Sequence, residues 1–293
     1  MTELFRRRKV QFLSPGGLHR MAYLEWGEAD HPRVLVCVHG LTRCARDFDV
    51  MARELSAHYR VVCPDVPGRG DSDWLKNPMD YVTPTYVHAM VALIARLGVD
   101  SVHWLGTSMG GLIGMALASL PQTPVARLVL NDVGPVISAE SLERIGAYVG
   151  MAPRFPSLEA AEQYVRAVSA PFGPHSDAQW RFLTEHVLRG DPSGGYRMHY
   201  DPAIAIPFNA EKARNQRRDI DLWPLYDAIH CPTLLVRGER SDLLTRETAA
   251  QMAGRGPRAR IAEIKGIGHA PTLMHADQIA LVREFLLAAA DSN

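Results

Sequence analysis

Short apolar runs, separated by glycine and proline, set the rhythm of the chain. Residues 9–14 and 19–26 alternate apolar and polar side chains and predict two strands, with Pro15-Gly16-Gly17 as the turn between them. Residues 33–39 (RVLVCVH) are apolar almost throughout, as suits a central strand covered on both faces. A helical pattern over 47–55 and a buried strand over 59–64 follow. Next comes a helix over 86–97, which Gly98 ends in the way left-handed residues close helices. Strand 101–105, helix 110–120 and strand 126–130 continue the alternation.

Strand and helix thus alternate from residue 33 to about 133, the signature of βαβ units and a largely parallel sheet. Residues 135–225 then contain only helix-like or irregular stretches rich in proline and aromatics. Alternation resumes with strand 233–237, helix 246–253, strand 260–265 and helix 278–289. The reading is an α/β core, residues 1–134 and 226–293, interrupted by a helical cap over 135–225.

Composition narrows the function. Lysine plus arginine and aspartate plus glutamate both number 32, a formal net charge of zero, which argues against a nucleic-acid or anionic-membrane partner. No apolar run is long enough to cross a bilayer. The first residues carry charge but no apolar leader, so the expected compartment is the cytoplasm. The four cysteines, at 37, 44, 63 and 231, have neither CxxC nor metal-ligand spacing. Neither a cofactor nor a metal is expected.

The chemistry centres on Gly106-Thr107-Ser108-Met109-Gly110-Gly111. This GxSxG sequence leaves a predicted strand and opens a predicted helix, the strand–turn–helix setting in which a serine hydroxyl is lifted above a sheet edge. A serine there needs a base, and the base needs an orienting acid. His269, in Gly266-Ile267-Gly268-His269, follows the last predicted strand and is the expected base. Asp242, in Arg237-Gly238-Glu239-Arg240-Ser241-Asp242, follows strand 233–237 and is the expected acid. Asp132, after strand 126–130, is the competitor, otherwise read as a turn or cap residue. The backbone N–H groups of Leu41, after His39-Gly40, and of Met109 are the expected donors to a developing oxyanion.

His39-Gly40, Asp65-Val66-Pro67-Gly68-Arg69-Gly70-Asp71-Ser72, the turn around Ser108, Ser241-Asp242 and Gly268-His269 occur in an order that resembles the α/β-hydrolase family over nearly the whole chain except the insertion. The resemblance implies an eight-stranded, mostly parallel sheet with a helical cap and a cofactor-free Ser–Asp–His triad. Serine at the turn sets the chain apart from family members with a nucleophilic aspartate. Ser-Met-Gly-Gly looks like carboxylesterases, enol-lactonases and carbon–carbon bond hydrolases. The last of these often carry an aromatic after the histidine, where this chain has Ala270-Pro271. The expected activity is hydrolysis of a small or medium carboxylic ester by water through an acyl-enzyme. Lactone or carbon–carbon hydrolysis is the alternative, and a non-catalytic receptor the alternative of another class. The aromatics of the insertion, Phe155, Tyr164, Phe172, Trp180, Phe182, Tyr196, Tyr200, Phe208 and Trp223, are expected mainly to pack it onto the core, and any that line a site would suit an apolar acyl or alcohol group.

Overall fold

The computed structural model describes residues 5–214 and 218–289. Strands β1 (Phe5–Ser14) and β2 (Gly17–Trp26) form an antiparallel hairpin, and the basic run Arg6-Arg7-Arg8-Lys9 lies within its first strand. Then follow β3 (Val34–Val38), α1 (Asp49–Leu55), β4 (Arg60–Pro64), α2 (Thr83–Leu97), β5 (Val102–Thr107), α3 (Met109–Ala118) and β6 (Val125–Asn131).

Between β6 and the next strand of the main sheet the chain adds β7 (Val136–Ile137), α4 (Ala139–Gly146), β8 (Arg154–Phe155), α5 (Leu158–Val168), α6 (Asp177–Glu185), β9 (Leu188–Gly190), β10 (Tyr196–Met198), α7 (Ala205–Arg214), β11 (Ile220–Asp221) and α8 (Trp223–Asp227). It returns through β12 (Thr233–Gly238), α9 (Arg246–Gly254), β13 (Arg260–Ile264) and α10 (Ala276–Leu287).

The eight long strands form one sheet in the order β1-β2-β4-β3-β5-β6-β12-β13. Only β2 runs against the rest, because it pairs antiparallel with both β1 and β4 while all later pairs are parallel. Side chains of β3 alternate between two apolar layers: Val34, Val36 and Val38 pack with α2 and α3, while Leu35 and Cys37 pack with α1 and α10. Burial on both faces explains why β3 reads as an unbroken apolar run. Parallel strands place all their carboxyl ends, and the loops that follow them, at one edge.

The inserted stretch is mainly helical but not wholly so. Three short strands form a small sheet in the order β8-β10-β9, and β11 pairs with β7 so that the start and finish of the insertion are zipped together. Two- or three-residue strands are too short for a period-2 pattern, which is why the sequence shows only helix and irregular segments there. Among the described residues no helix is long and apolar enough to cross a membrane.

Candidate active site

Ser108 stands between β5 and α3 with φ 51° and ψ −115°, a backbone conformation that side chains other than glycine rarely adopt. Small neighbours make the turn feasible. A Cβ on Gly106 would lie 2.2 Å from the backbone of Gly110, and one on Gly110 would lie 2.0 Å from the carbonyl oxygen of Val38. The turn is therefore pressed against its own helix and against β3. The Ser108 N–H donates to the Asn131 carbonyl at 3.0 Å, which ties it to the end of β6 as well.

His269 reaches this serine from the loop after β13. Its Nε2 lies 3.0 Å from Ser108 Oγ and its Nδ1 lies 2.8 Å from Asp132 Oδ2. Asp132 follows β6 directly, is fully buried, and also sits at positive φ, 55°. Three donors converge on its carboxylate. The Gly238 N–H gives to Oδ1 at 2.8 Å, and the Ser241 hydroxyl gives to Oδ2 at 2.6 Å beside the imidazole. A carboxylate that accepts from Nδ1 holds the ring in the tautomer whose Nε2 accepts a proton from Ser108.

Asp242, the acid expected from the sequence, is not the carboxylate beside the imidazole. Asp242 is turned to solvent and pairs with Arg144 of α4 at 3.0 Å, with both side chains about half exposed (41% and 57%). Gly238 at the end of β12 and Ser241 in the loop after it both bond to Asp132, so Asp242, one residue further on, points out of the site. The competitor after β6 is the carboxylate that meets the imidazole.

The loop after β3 passes beside the serine: a Cβ on Gly40 would be 3.8 Å from that of Ser108. His39 orients this loop. It is wholly buried, its Nδ1 lies 2.7 Å from the Gly40 carbonyl oxygen, and the Val66 N–H donates to its Nε2 at 2.9 Å. Nε2 is an acceptor, so Nδ1 carries the proton and gives it to Gly40. Burial pushes the His39 pKa down to about 4, which keeps the ring neutral. A trans peptide points its N–H opposite to its C=O, so anchoring the Gly40 carbonyl also sets the direction of the Leu41 N–H. Met109 opens α3, where a first-turn N–H has no acceptor within the helix. Leu41 and Met109 both face the cavity that Ser108 and His269 line.

That cavity, about 500 Å³, lies between the sheet edge and the insertion. Its walls are mostly apolar and include Leu112, Val133, Ile137, Leu142, Ile145, Val165 and Leu243. Of the nine aromatics singled out in the insertion, Tyr164, Phe172, Tyr200 and Phe208 line this cavity. Phe155 packs within the insertion against Leu188, Trp180 packs against Leu183 and Met274, and Trp223 lies beneath Arg255. Among the described residues no group of three or more His, Cys, Asp or Glu side chains is arranged to hold a metal ion.

His39, Arg69 and Ser241 fall within the segments that carry the family resemblance, but the individual hydrogen bonds of their side chains are not readable from residue order. Each is a polar side chain beside a glycine turn, and only the folded chain brings it to its partner.

Comparison with known proteins agrees with the architecture. Residues 33–275 match the family model described as the α/β hydrolase fold. The chain is 50% identical over 284 residues to a 3-hydroxybutyrate-oligomer hydrolase of Cupriavidus necator, covering 96% of this chain and 97% of that protein. A solved structure of a putative hydrolase from Rickettsia typhi is similar at 34% identity with a TM-score of 0.88, over 96% of this chain and 98% of that one. An α/β hydrolase from Novosphingobium aromaticivorans is similar at 37% identity and a TM-score of 0.84, over 98% and 99%.

Proposed function

The chain belongs to the α/β-hydrolase fold family, and on that footing we propose that it is a serine hydrolase that cleaves carboxylic esters, with short oligoesters of a 3-hydroxy acid as its substrate class. The observation that carries the reading is the continuous chain of contacts from Asp132 through His269 to Ser108. The substrate class comes from the 50% identical relative and suits a cavity with mainly apolar walls.

In the proposed reaction Ser108 Oγ attacks the ester carbonyl carbon while His269 Nε2 takes the hydroxyl proton. Asp132 stabilises the resulting imidazolium without taking a proton itself. The carbonyl oxygen becomes an oxyanion and accepts hydrogen bonds from the Leu41 and Met109 N–H groups, each worth about 3–4 kcal/mol to such a transition state. The intermediate collapses to an acyl-Ser108, and His269 returns its proton to the leaving alcohol. Water, deprotonated by the same imidazole, then releases the acid and restores the serine. The insertion, residues 135–225, acts as a cap that supplies most of the apolar wall and keeps bulk water from the acyl group.

The test is turnover of 3-hydroxybutyrate dimer and trimer, alongside p-nitrophenyl butyrate, by the wild type and by Ser108→Ala. The expected outcome is release of monomer by the wild type and a loss of at least about 10⁴-fold in the variant. Undiminished turnover in Ser108→Ala would remove the mechanism. Rapid cleavage of a lactone or vinylogous diketone with no turnover of linear esters would overturn the substrate class.

A further inference from the structure

Arg69 has no exposed surface, yet its hydrogen bonds among the described residues all end on neutral acceptors. Nε donates to the Leu41 carbonyl at 2.8 Å. Nη1 donates to the Pro67 carbonyl and to the Tyr86 hydroxyl, both at 2.8 Å, and Nη2 lies 3.6 Å from Met109 Sδ. The guanidinium also lies near the rings of Tyr81 and Tyr86, with its central carbon 5.8 and 5.2 Å from their centroids. Burying a cation without a carboxylate is unfavourable, and a structural arginine normally has one. Two of these contacts are to Leu41 and Met109, the residues whose amides are the proposed oxyanion donors.

We propose that Arg69 is a positioning residue for the oxyanion: it clamps the loop carrying Leu41 to the helix turn carrying Met109 and sets behind both amides a positive charge that no carboxylate hydrogen-bonds directly among the described residues. The proposal rests on the serine-hydrolase reading above. With the Gly40 carbonyl held by His39 and the Leu41 carbonyl held by Arg69, both peptides flanking Leu41 are fixed, and so is the direction of its N–H. A charge in a dry, low-dielectric place acts on a developing oxyanion far more strongly than it would in water. The forked guanidinium is suited to the task, because it reaches several acceptors at once where an ammonium is a point charge.

The same residue connects the insertion to the site. Gly68 and Gly70, on either side of Arg69, bond to the insertion, with the Asp201 N–H donating to the Gly68 carbonyl at 2.8 Å and the Gly70 N–H to the His199 carbonyl at 2.9 Å. Tyr81, against the guanidinium, donates its hydroxyl to Asp201 Oδ2 at 2.6 Å. The seating of segment 199–201 is thereby transmitted to the oxyanion donors.

The test compares wild type, Arg69→Lys, Arg69→Met and Tyr86→Phe, which keeps the guanidinium and removes one of its acceptors. kcat and KM are measured with p-nitrophenyl butyrate. Binding is measured for a trifluoromethyl ketone, which forms a tetrahedral adduct with Ser108, and for the matching amide, which stays planar. Arg69→Met is expected to lower kcat by about 10²-fold with KM within about threefold. Affinity for the ketone should fall in proportion while that for the amide holds, and Arg69→Lys should recover part of the loss. A kcat within about threefold of wild type, or an equal loss of affinity for the amide, would overturn the proposal. If Arg69→Met does not fold, Tyr86→Phe decides: a kcat lowered about threefold to tenfold at constant KM supports the role, and an unchanged kcat ends it. A wild type that neither turns over the ester nor takes a fluorophosphonate label on Ser108 sinks the serine-hydrolase reading and this proposal with it. An active wild type with a fully active Arg69→Met sinks only the role of Arg69.

Discussion

Replacing Asp132 by asparagine tests which carboxylate orients the imidazole, and the geometry sets the size of the effect. In one orientation the new amide keeps an oxygen on the Gly238 N–H, and its NH₂ then faces His269 Nδ1. The ring must accept there, its proton moves to Nε2, and it has no free site to take the proton of Ser108. In the flipped orientation the oxygen serves His269 and Ser241, but the NH₂ meets the buried Gly238 N–H donor to donor, at a cost of about 1–3 kcal/mol. Either way the productive state is depleted and the imidazolium loses its counter-charge. The expected fall in kcat is on the order of 10⁴, or about 5 kcal/mol of transition-state stabilisation. Asp242→Asn removes only a half-exposed pair with Arg144, so it is expected to cost less than about 1 kcal/mol of stability and leave kcat within about twofold. The assay is steady-state ester hydrolysis of both variants, with urea melts to confirm folding. A larger loss from Asp242→Asn than from Asp132→Asn would refute the assignment.

Two further outcomes follow from the buried turns around the site. His39 is neutral in the fold with a pKa near 4, against 6.5 when free, so between these values the unfolded chain binds a proton that the native chain does not. Its contribution to stability is present above pH 6.5 and is lost as pH falls towards 4, by roughly 3 kcal/mol. Asp65, pushed up to about 6 by burial, acts in the opposite direction and flattens the wild-type curve, so the difference between wild type and His39→Asn is the informative quantity. In urea melts the penalty of that substitution should shrink as pH falls from 7 to 4, and a constant difference would contradict the neutral-imidazole argument. Gly110→Ala would thrust a Cβ to 2.0 Å from the backbone oxygen of Val38, which has no flexible end to move aside. Calorimetry should show a loss of more than about 3 kcal/mol, a Tm lower by roughly 6 °C or more.

Much of the fold is legible because it rests on local signals. The apolar run of β3, the glycine closing α2 and the strand–turn–helix around Ser108 each depend on neighbouring residues. The histidine is legible too, since one glycine-flanked histidine follows the last strand. Asp242 is the acid that residue order favours, whereas Asp132 is the one that meets the imidazole, and the mismatch has a physical reason. Loops after β6 and β12 emerge side by side at one sheet edge, and each carries an aspartate within a few residues of its strand. What separates them is the positive φ of Asp132 and the inward turn of Ser241, neither of which leaves a mark on residue order. Arg69 and His39 were hidden for a related cause. The contacts that tie them to other elements, His39 to Val66 and Arg69 to Leu41 and Met109, span 27 to 40 positions, a range over which periodicity carries no information.

The contact of Gly110 with β3 has a consequence for how this scaffold accepts new substrates. Ser108, Asp132 and the segments carrying Leu41 and Met109 all follow adjacent central strands, so the floor of the chamber behaves as one inflexible casting. Variety must enter through the roof, where Leu142, Ile145, Tyr164 and Phe208 meet the guest with side chains alone. A laboratory selection for altered substrate range should therefore gather its winning changes at those positions and leave the floor untouched.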